Sequence, residues 1–224
     1  MLSNEIYRFY ESLQPPQGLP PGVETLFPQQ DPEVMQLVKR FLDKYYSDNH
    51  PRTLVMGINP GRFGAGATGI NFTAPRQLTQ YCGIVNTLKQ QSELSAEFIY
   101  EMIESYGGCD KFYSRFFISA VSPLGFIKDG KNMNYYDDKK LQKSVTPFIT
   151  TCINEQYGWN LNRATCICIG GEKNFNYLSA LNEKNGWFKT INPLPHPRFI
   201  LQYRRKQKQD YILQYLEVLE NIKM

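Results

Sequence analysis

Thr53-Leu54-Val55-Met56-Gly57-Ile58, followed at once by Asn59-Pro60-Gly61, is the stretch on which the fold turns. It carries no charge and does not alternate between apolar and polar positions. That pattern belongs to a strand covered on both faces, as in a parallel sheet between layers of helix. Three further runs share it: 116–121, 165–169 and 188–191. Segments with helical spacing lie between them, at 76–90, 95–106, 139–156 and 172–183. A last helix, 207–222, puts Ile212, Tyr215, Leu216 and Leu219 on one face. Strands alternating with helices predict an α/β fold, a three-layer α/β/α sandwich around a short, mainly parallel four-stranded sheet.

Upstream of the first strand, Ser3 is placed to cap a helix carrying Ile6, Phe9 and Leu13, which the Pro15-Pro16 pair ends. Residues 14–30 are rich in turn formers and are expected to wrap the surface. A second helix begins at Asp31-Pro32-Glu33 and turns Val34, Leu37, Val38, Phe41 and Leu42 inward. One domain over 1–224 is expected, with 1–50 as an N-terminal helical extension; 224 residues at 42% hydrophobic suffice for one large core.

Composition removes several classes. No stretch approaches the roughly 18 uncharged apolar residues of a membrane span, and the N-terminus has no basic segment leading into an apolar one. A cytoplasmic protein without membrane partners is expected. The cysteines at 82, 109, 152, 166 and 168 form no C-x-x-C pair, and with only His50 and His196 beside them they make a poor metal set. Neither a metal nor another cofactor is expected. A G-x-S-x-G elbow and a phosphate-binding P-loop are both missing, which disfavours serine hydrolases and P-loop nucleotidases. Net charge is only +4, but between Glu183 and Asp210 there are seven basic residues and no acid. That end of the chain offers a positive field suited to a phosphate backbone.

Ligand sites of open parallel sheets form beyond the carboxyl ends of strands, which selects 59–72, 119–125, 170–173 and 192–198. Gly64 to Gly69 matches G-x-G-x-x-G and raises a dinucleotide-dependent oxidoreductase as a remote alternative. The context is wrong for it, because seven residues separate the strand from Gly64 and Ile70-Asn71-Phe72-Thr73 does not open a helix. Read as a unit, Gly57 to Phe72 describes a strand, a tight turn and a glycine-rich loop returning with an aromatic. Ile58, Gly61, Phe63 and Phe72 become candidate walls of a pocket for a planar ring.

Gly57, Asn59-Pro60-Gly61, Phe63-Gly64, Thr68-Gly69 and Phe72 stand at the spacing of a known motif, G-M-N-P-G-P-F-G followed by T-G and P-F. The chain thereby resembles the single-strand-selective monofunctional uracil-DNA glycosylases of the uracil-DNA glycosylase superfamily. Pro195-His196-Pro197-Arg198 resembles that family's second motif, H-P-S-P-R, in shortened form. The first fifty residues and the 126–140 loop have no counterpart in the pattern.

The resemblance implies an enzyme that hydrolyses the N-glycosidic bond of uracil in DNA and leaves an abasic site, with DNA as partner and a monomer expected. It assigns Asn59 to a water and His196 to the O2 oxygen of the departing base, with Phe72 stacking on the flipped ring. Gly61 leaves space beside the 5-position, so 5-substituted uracils and deaminated purines become further candidate substrates. Where the family reads the base with an asparagine, this chain has Ala120. Ser119, Ser122 or an amide of loop 131–136 is left to replace it, and Asn134 is favoured. Arg198, Arg204, Arg205 and Lys206 form the expected DNA-facing segment. A catalytically weak or inactive DNA-binding relative is the alternative that Ala120 suggests, and an iron–sulfur member is disfavoured by the cysteine spacing.

Overall fold

The computed structural model describes residues 1–91 and 93–223. The chain runs α1 (Leu2–Ser12), β1 (Val23–Leu26), α2 (Pro32–Tyr45), β2 (Arg52–Gly57), α3 (Ala65–Thr68), α4 (Pro75–Gln80), α5 (Leu94–Tyr106) and α6 (Cys109–Tyr113). It continues with β3 (Phe116–Ala120), β4 (Gly125–Lys128), β5 (Lys131–Met133), α7 (Lys139–Tyr157), β6 (Leu161–Ile169), α8 (Gly171–Asn185), β7 (Thr190–Leu194), α9 (Pro197–Tyr203) and α10 (Lys208–Glu220).

The main sheet has the order β3-β2-β6-β7, and all three of its pairings are parallel. Every residue of β2 and β3 is buried, as expected of strands between two helical layers. Register aligns the carboxyl ends: Gly57 pairs with Ala120, Met56 with Cys168, and Ile169 with Leu194. The segments following these ends therefore converge on one edge of the sheet. Among the described residues, no helix is long and apolar enough to cross a membrane.

Several local expectations need correction. Residues 1–50 are not purely helical, because β1 pairs antiparallel with β4, and β4 with β5, in a second, three-stranded sheet. The proline- and glycine-rich composition around it hid this strand of four residues. Ser3 does not cap α1: the helix starts from Met1, and the Ser3 amide donates to Tyr46 O at 3.0 Å. The helix expected over 76–90 stops at Gln80, with Gly83 following in the left-handed region at φ +64°. Asp31 does cap α2, accepting from the Glu33 amide at 2.8 Å. Pro147 lies within α7, where its missing N–H removes one helical hydrogen bond.

Candidate active site

A cavity opens at the strand-end edge of the main sheet. It is lined by Ile58 to Gly61, Phe63, Phe72, Asn134 and His196, together with the buried Ala120 and the exposed Arg198. Of the residues singled out in the sequence, Ile58, Asn59, Gly61, Phe63, Phe72, Asn134, His196 and Arg198 meet here.

Packing dictates the wall. A Cβ added to Gly57 would lie 2.7 Å from Cε2 of Phe72, so the glycine is what lets that ring lie against the strand end. Phe72 itself has φ +52°, a conformation unfavourable for a bulky residue and maintained here by its surroundings. The Thr68 hydroxyl helps, donating to Thr73 O at 2.6 Å across the loop. A Cβ at Gly61 would meet only Asn132 Nδ2, at 3.4 Å, so this part of the wall has room for a substituent on a ligand.

Asn59 is clamped at both ends of its carboxamide. Nδ2 donates to Met133 O at 3.1 Å and Pro60 O at 3.3 Å, while Oδ1 accepts from the Tyr135 amide at 3.1 Å. One further lone pair of Oδ1 remains for a small donor such as water. The amide thus joins the end of β2 to the segment after β5. Behind that junction the fully buried Asn174 accepts from the Tyr135 hydroxyl at 2.7 Å and donates to Gly57 O at 3.3 Å. Asn174 was missed in the sequence; it stands just past the 170–173 window chosen by the strand-end rule.

His196 is the N-cap of α9. Its Nδ1 accepts from the Arg198 amide at 3.1 Å. An imidazole that accepts at Nδ1 carries its proton on Nε2, which leaves a neutral N–H donor on the other edge of the ring. Burial, and secondarily the Arg198 charge, hold its pKa down at about 4. The ring centroid lies 6.0 Å from that of Phe72, tilted by 48°.

The base-reading candidates separate. Ser122 is buried and donates to Leu124 O at 2.7 Å, and Ser119 donates to Gln156 Oε1 at 2.6 Å. Both lie outside the cavity lining, because β3 and the turn after it direct these hydroxyls into internal hydrogen bonds. Asn134 lines the cavity while also tying a turn, its backbone N–H donating to Asp137 Oδ2 at 2.8 Å and its side-chain Nδ2 to Asp137 Oδ1 at 3.4 Å. Asn132, the other amide of the 131–136 loop, completes the polar lining together with Asn71, Glu93 and Ser95, three residues that were not picked out from the sequence.

The dinucleotide reading fails on geometry. Gly64 opens only the four-residue α3, and the amides of Gly66, Ala67, Thr68 and Gly69 all donate to carbonyls within the loop. A Cβ at Gly66 would lie 2.6 Å from Gly61 O, so this glycine serves internal packing and leaves no phosphate cradle.

Arg204, Arg205 and Lys206 lie apart from the cavity, around a shallow depression at the end of α9. They are exposed, and Arg205 Nε donates to Leu201 O at 3.2 Å. The aromatic rings of Phe199 and Tyr203 are 41% and 63% exposed beside them.

Residues 44–220 match the model of the uracil DNA glycosylase superfamily. The structure is similar to the crystal structure of wild-type SMUG2 from Pedobacter heparinus, with a TM-score of 0.93 and 41% sequence identity. The similarity covers 97% of this chain and 96% of that one. No curated relative matches the sequence.

Proposed function

Since the chain belongs to the uracil DNA glycosylase superfamily and is a repair glycosylase acting on DNA, we propose that it hydrolyses the N-glycosidic bond of uracil, working as a monomer and leaving an abasic site. The observation that carries this reading is His196: a neutral imidazole whose Nδ1 is occupied, beside the ring of Phe72.

Cleavage builds positive charge on the sugar and negative charge on the departing base. His196 Nε2–H donates to O2 of the base as that charge grows, and Phe72 stacks on the flipped ring. Asn59 is an amide and cannot act as a general base; its free Oδ1 lone pair orients the water that attacks C1′. The bond from C1′ to the base nitrogen breaks, the base keeps the electron pair, the water oxygen joins C1′, and the proton shed by that water is taken up by the base anion, giving free uracil and an abasic sugar hydroxyl. Among the described residues the cavity lining contains no lysine, hence no amine to attack the sugar and cleave the strand, which supports a monofunctional enzyme.

Ala120 cannot hydrogen-bond the polar edge of the base, and Asn134, in the lining of the same cavity, reads it. The space beside Gly61 admits 5-substituted uracils, and deaminated purines complete the proposed range. Gly61→Tyr should abolish release of 5-hydroxymethyluracil while leaving folding intact; a variant retaining every such activity would remove Gly61 as a determinant. Extrusion of the base costs a few kcal/mol, least in single strands.

Arg198, Arg204, Arg205 and Lys206 contact phosphates. Each neutralised contact on a single strand contributes about 0.7 to the slope of log affinity against log salt, so Arg204→Gln with Arg205→Gln should lower that slope by about 1.4. An unchanged slope would leave the two as a solvated surface.

The deciding experiment incubates the protein with a labelled single-stranded oligonucleotide containing one uracil and cleaves abasic sites with alkali. Site-specific cleavage is expected. Retained DNA binding without release of uracil, hypoxanthine or 5-hydroxymethyluracil would favour the inactive DNA-binding reading, with Ala120 as its cause.

A further inference from the structure

The matched family region begins at residue 44, yet the segment before it grips the active-site loop at several points. Gln29, 6% exposed, donates from Nε2 to Gly69 O at 2.9 Å. Gly69 has φ +72°, and a Cβ there would lie 2.7 Å from Val38 Cγ2 and 2.8 Å from Val34 Cγ1 of α2. Leu26 of β1 fills the space beside Gly66 and Gly125, where added Cβ atoms would come within 2.7 and 3.1 Å of its side chain. Tyr10 of α1 accepts from Asn71 Nδ2 at 3.5 Å. β1 also pairs from Val23↔Lys128 to Leu26↔Gly125 with the β4–β5 hairpin, from which Asn132 and Met133 line the cavity. A two-stranded hairpin alone is marginally stable in water, and the third strand gives it a scaffold.

We propose that residues 1–43 complete the base pocket as a strap, and that Gln29 is a positioning residue that fixes the 64–73 loop and through it the Phe72 ring. This rests on the glycosylase reading of the site. The physical reason lies in Phe72. A bulky residue at φ +52° does not hold that conformation alone, so the chain on either side must be anchored. Thr68 anchors the loop from within, and Gln29 anchors it from outside, three residues before the ring. The bond also satisfies the Gly69 carbonyl, which the one-turn helix α3 leaves without a helical partner.

The test compares full-length Gln29→Met, which keeps the volume and loses the donor, with Gln30→Met at the exposed neighbour. Peptide-level hydrogen exchange over 64–73 is followed together with single-turnover base release and oligonucleotide affinity. Gln29→Met should exchange faster over 64–73 and release uracil about tenfold more slowly, with affinity unchanged, because misplacing a positioned ring acts on the chemical step. Gln29→Glu supplies a second variant. Its carboxylate cannot donate to Gly69 O but its carboxylic acid can, and burial raises the pKa of such a group, so its rate should recover as pH is lowered from 7 towards about 5.5, a range in which the wild type stays flat. Unchanged exchange or an unchanged rate in Gln29→Met, or equal effects in Gln30→Met, would overturn the proposal. If the wild-type protein releases no base, the glycosylase reading falls and the exchange comparison alone decides the strap.

Discussion

His196→Ala should slow single-turnover release of uracil by about 10²- to 10³-fold, the usual cost of removing one preorganised donor from a developing anion. Affinity for the oligonucleotide should change little, because the donor acts most strongly when the base is leaving. The pH profile separates this from a role for the charged ring. With the pKa held at about 4 by burial, the imidazole is neutral across the physiological range and the rate should run flat through 6.5. It should fall only as pH approaches 4, where a proton entering at Nδ1 displaces the Arg198 amide. An imidazolium donor would instead give a rate that rises as pH drops through 6.5. The same shift acts on stability. The folded pKa lies below the unfolded one, so between pH 6.5 and 4 the unfolded chain takes up the additional proton, and stability is lost as pH falls through that window. A wild-type rate in the alanine variant would take His196 out of the mechanism.

Asn59→Ala should cost about 10²-fold or more in the same measurement, for two additive reasons. The attacking water loses its orienting acceptor. The Met133 carbonyl and Tyr135 amide lose their partner, and each unpaired group costs about 1–3 kcal/mol where water cannot replace it. The second effect frees the Asn132–Asn134 wall, so discrimination between uracil and the other candidate bases should loosen alongside the rate. Single-turnover rates on uracil, hypoxanthine and 5-hydroxymethyluracil measure both. If the rate fell with discrimination intact, Asn59 would be a water ligand only.

The site was legible wherever chemistry is written into consecutive residues. Gly57 to Phe72 and Pro195 to Arg198 carry their meaning in local spacing, and the rule of strand carboxyl ends brought Asn59 and His196 together although 137 positions separate them. Ser122 was illegible because the direction of a hydroxyl depends on the turn that holds it, and here the Leu124 carbonyl takes it. Asn174 and Gln29 were illegible for a related reason. Each is tied to the site's surroundings by one long-range hydrogen bond or two, and nothing in a helix or a turn marks which side-chain amide will find a partner 40 or 117 residues away.

The alternation of strands and helices along the chain, the parallel character of the sheet and the edge that bears the candidate site followed from the sequence by itself, whereas the strand order β3-β2-β6-β7 and the shift of the last strand from 188–191 to Thr190–Leu194 did not. Hydrophobic runs and turn residues act over neighbouring positions, and their physics needs no knowledge of the rest of the chain. Tertiary structure alone decided that β1 joins the β4–β5 hairpin, that Phe72 is held at positive φ against Gly57, and that burial keeps the His196 imidazole neutral. Those outcomes depend on distances between segments remote in sequence, and at such distances a few tenths of an ångström separate a hydrogen bond from a clash.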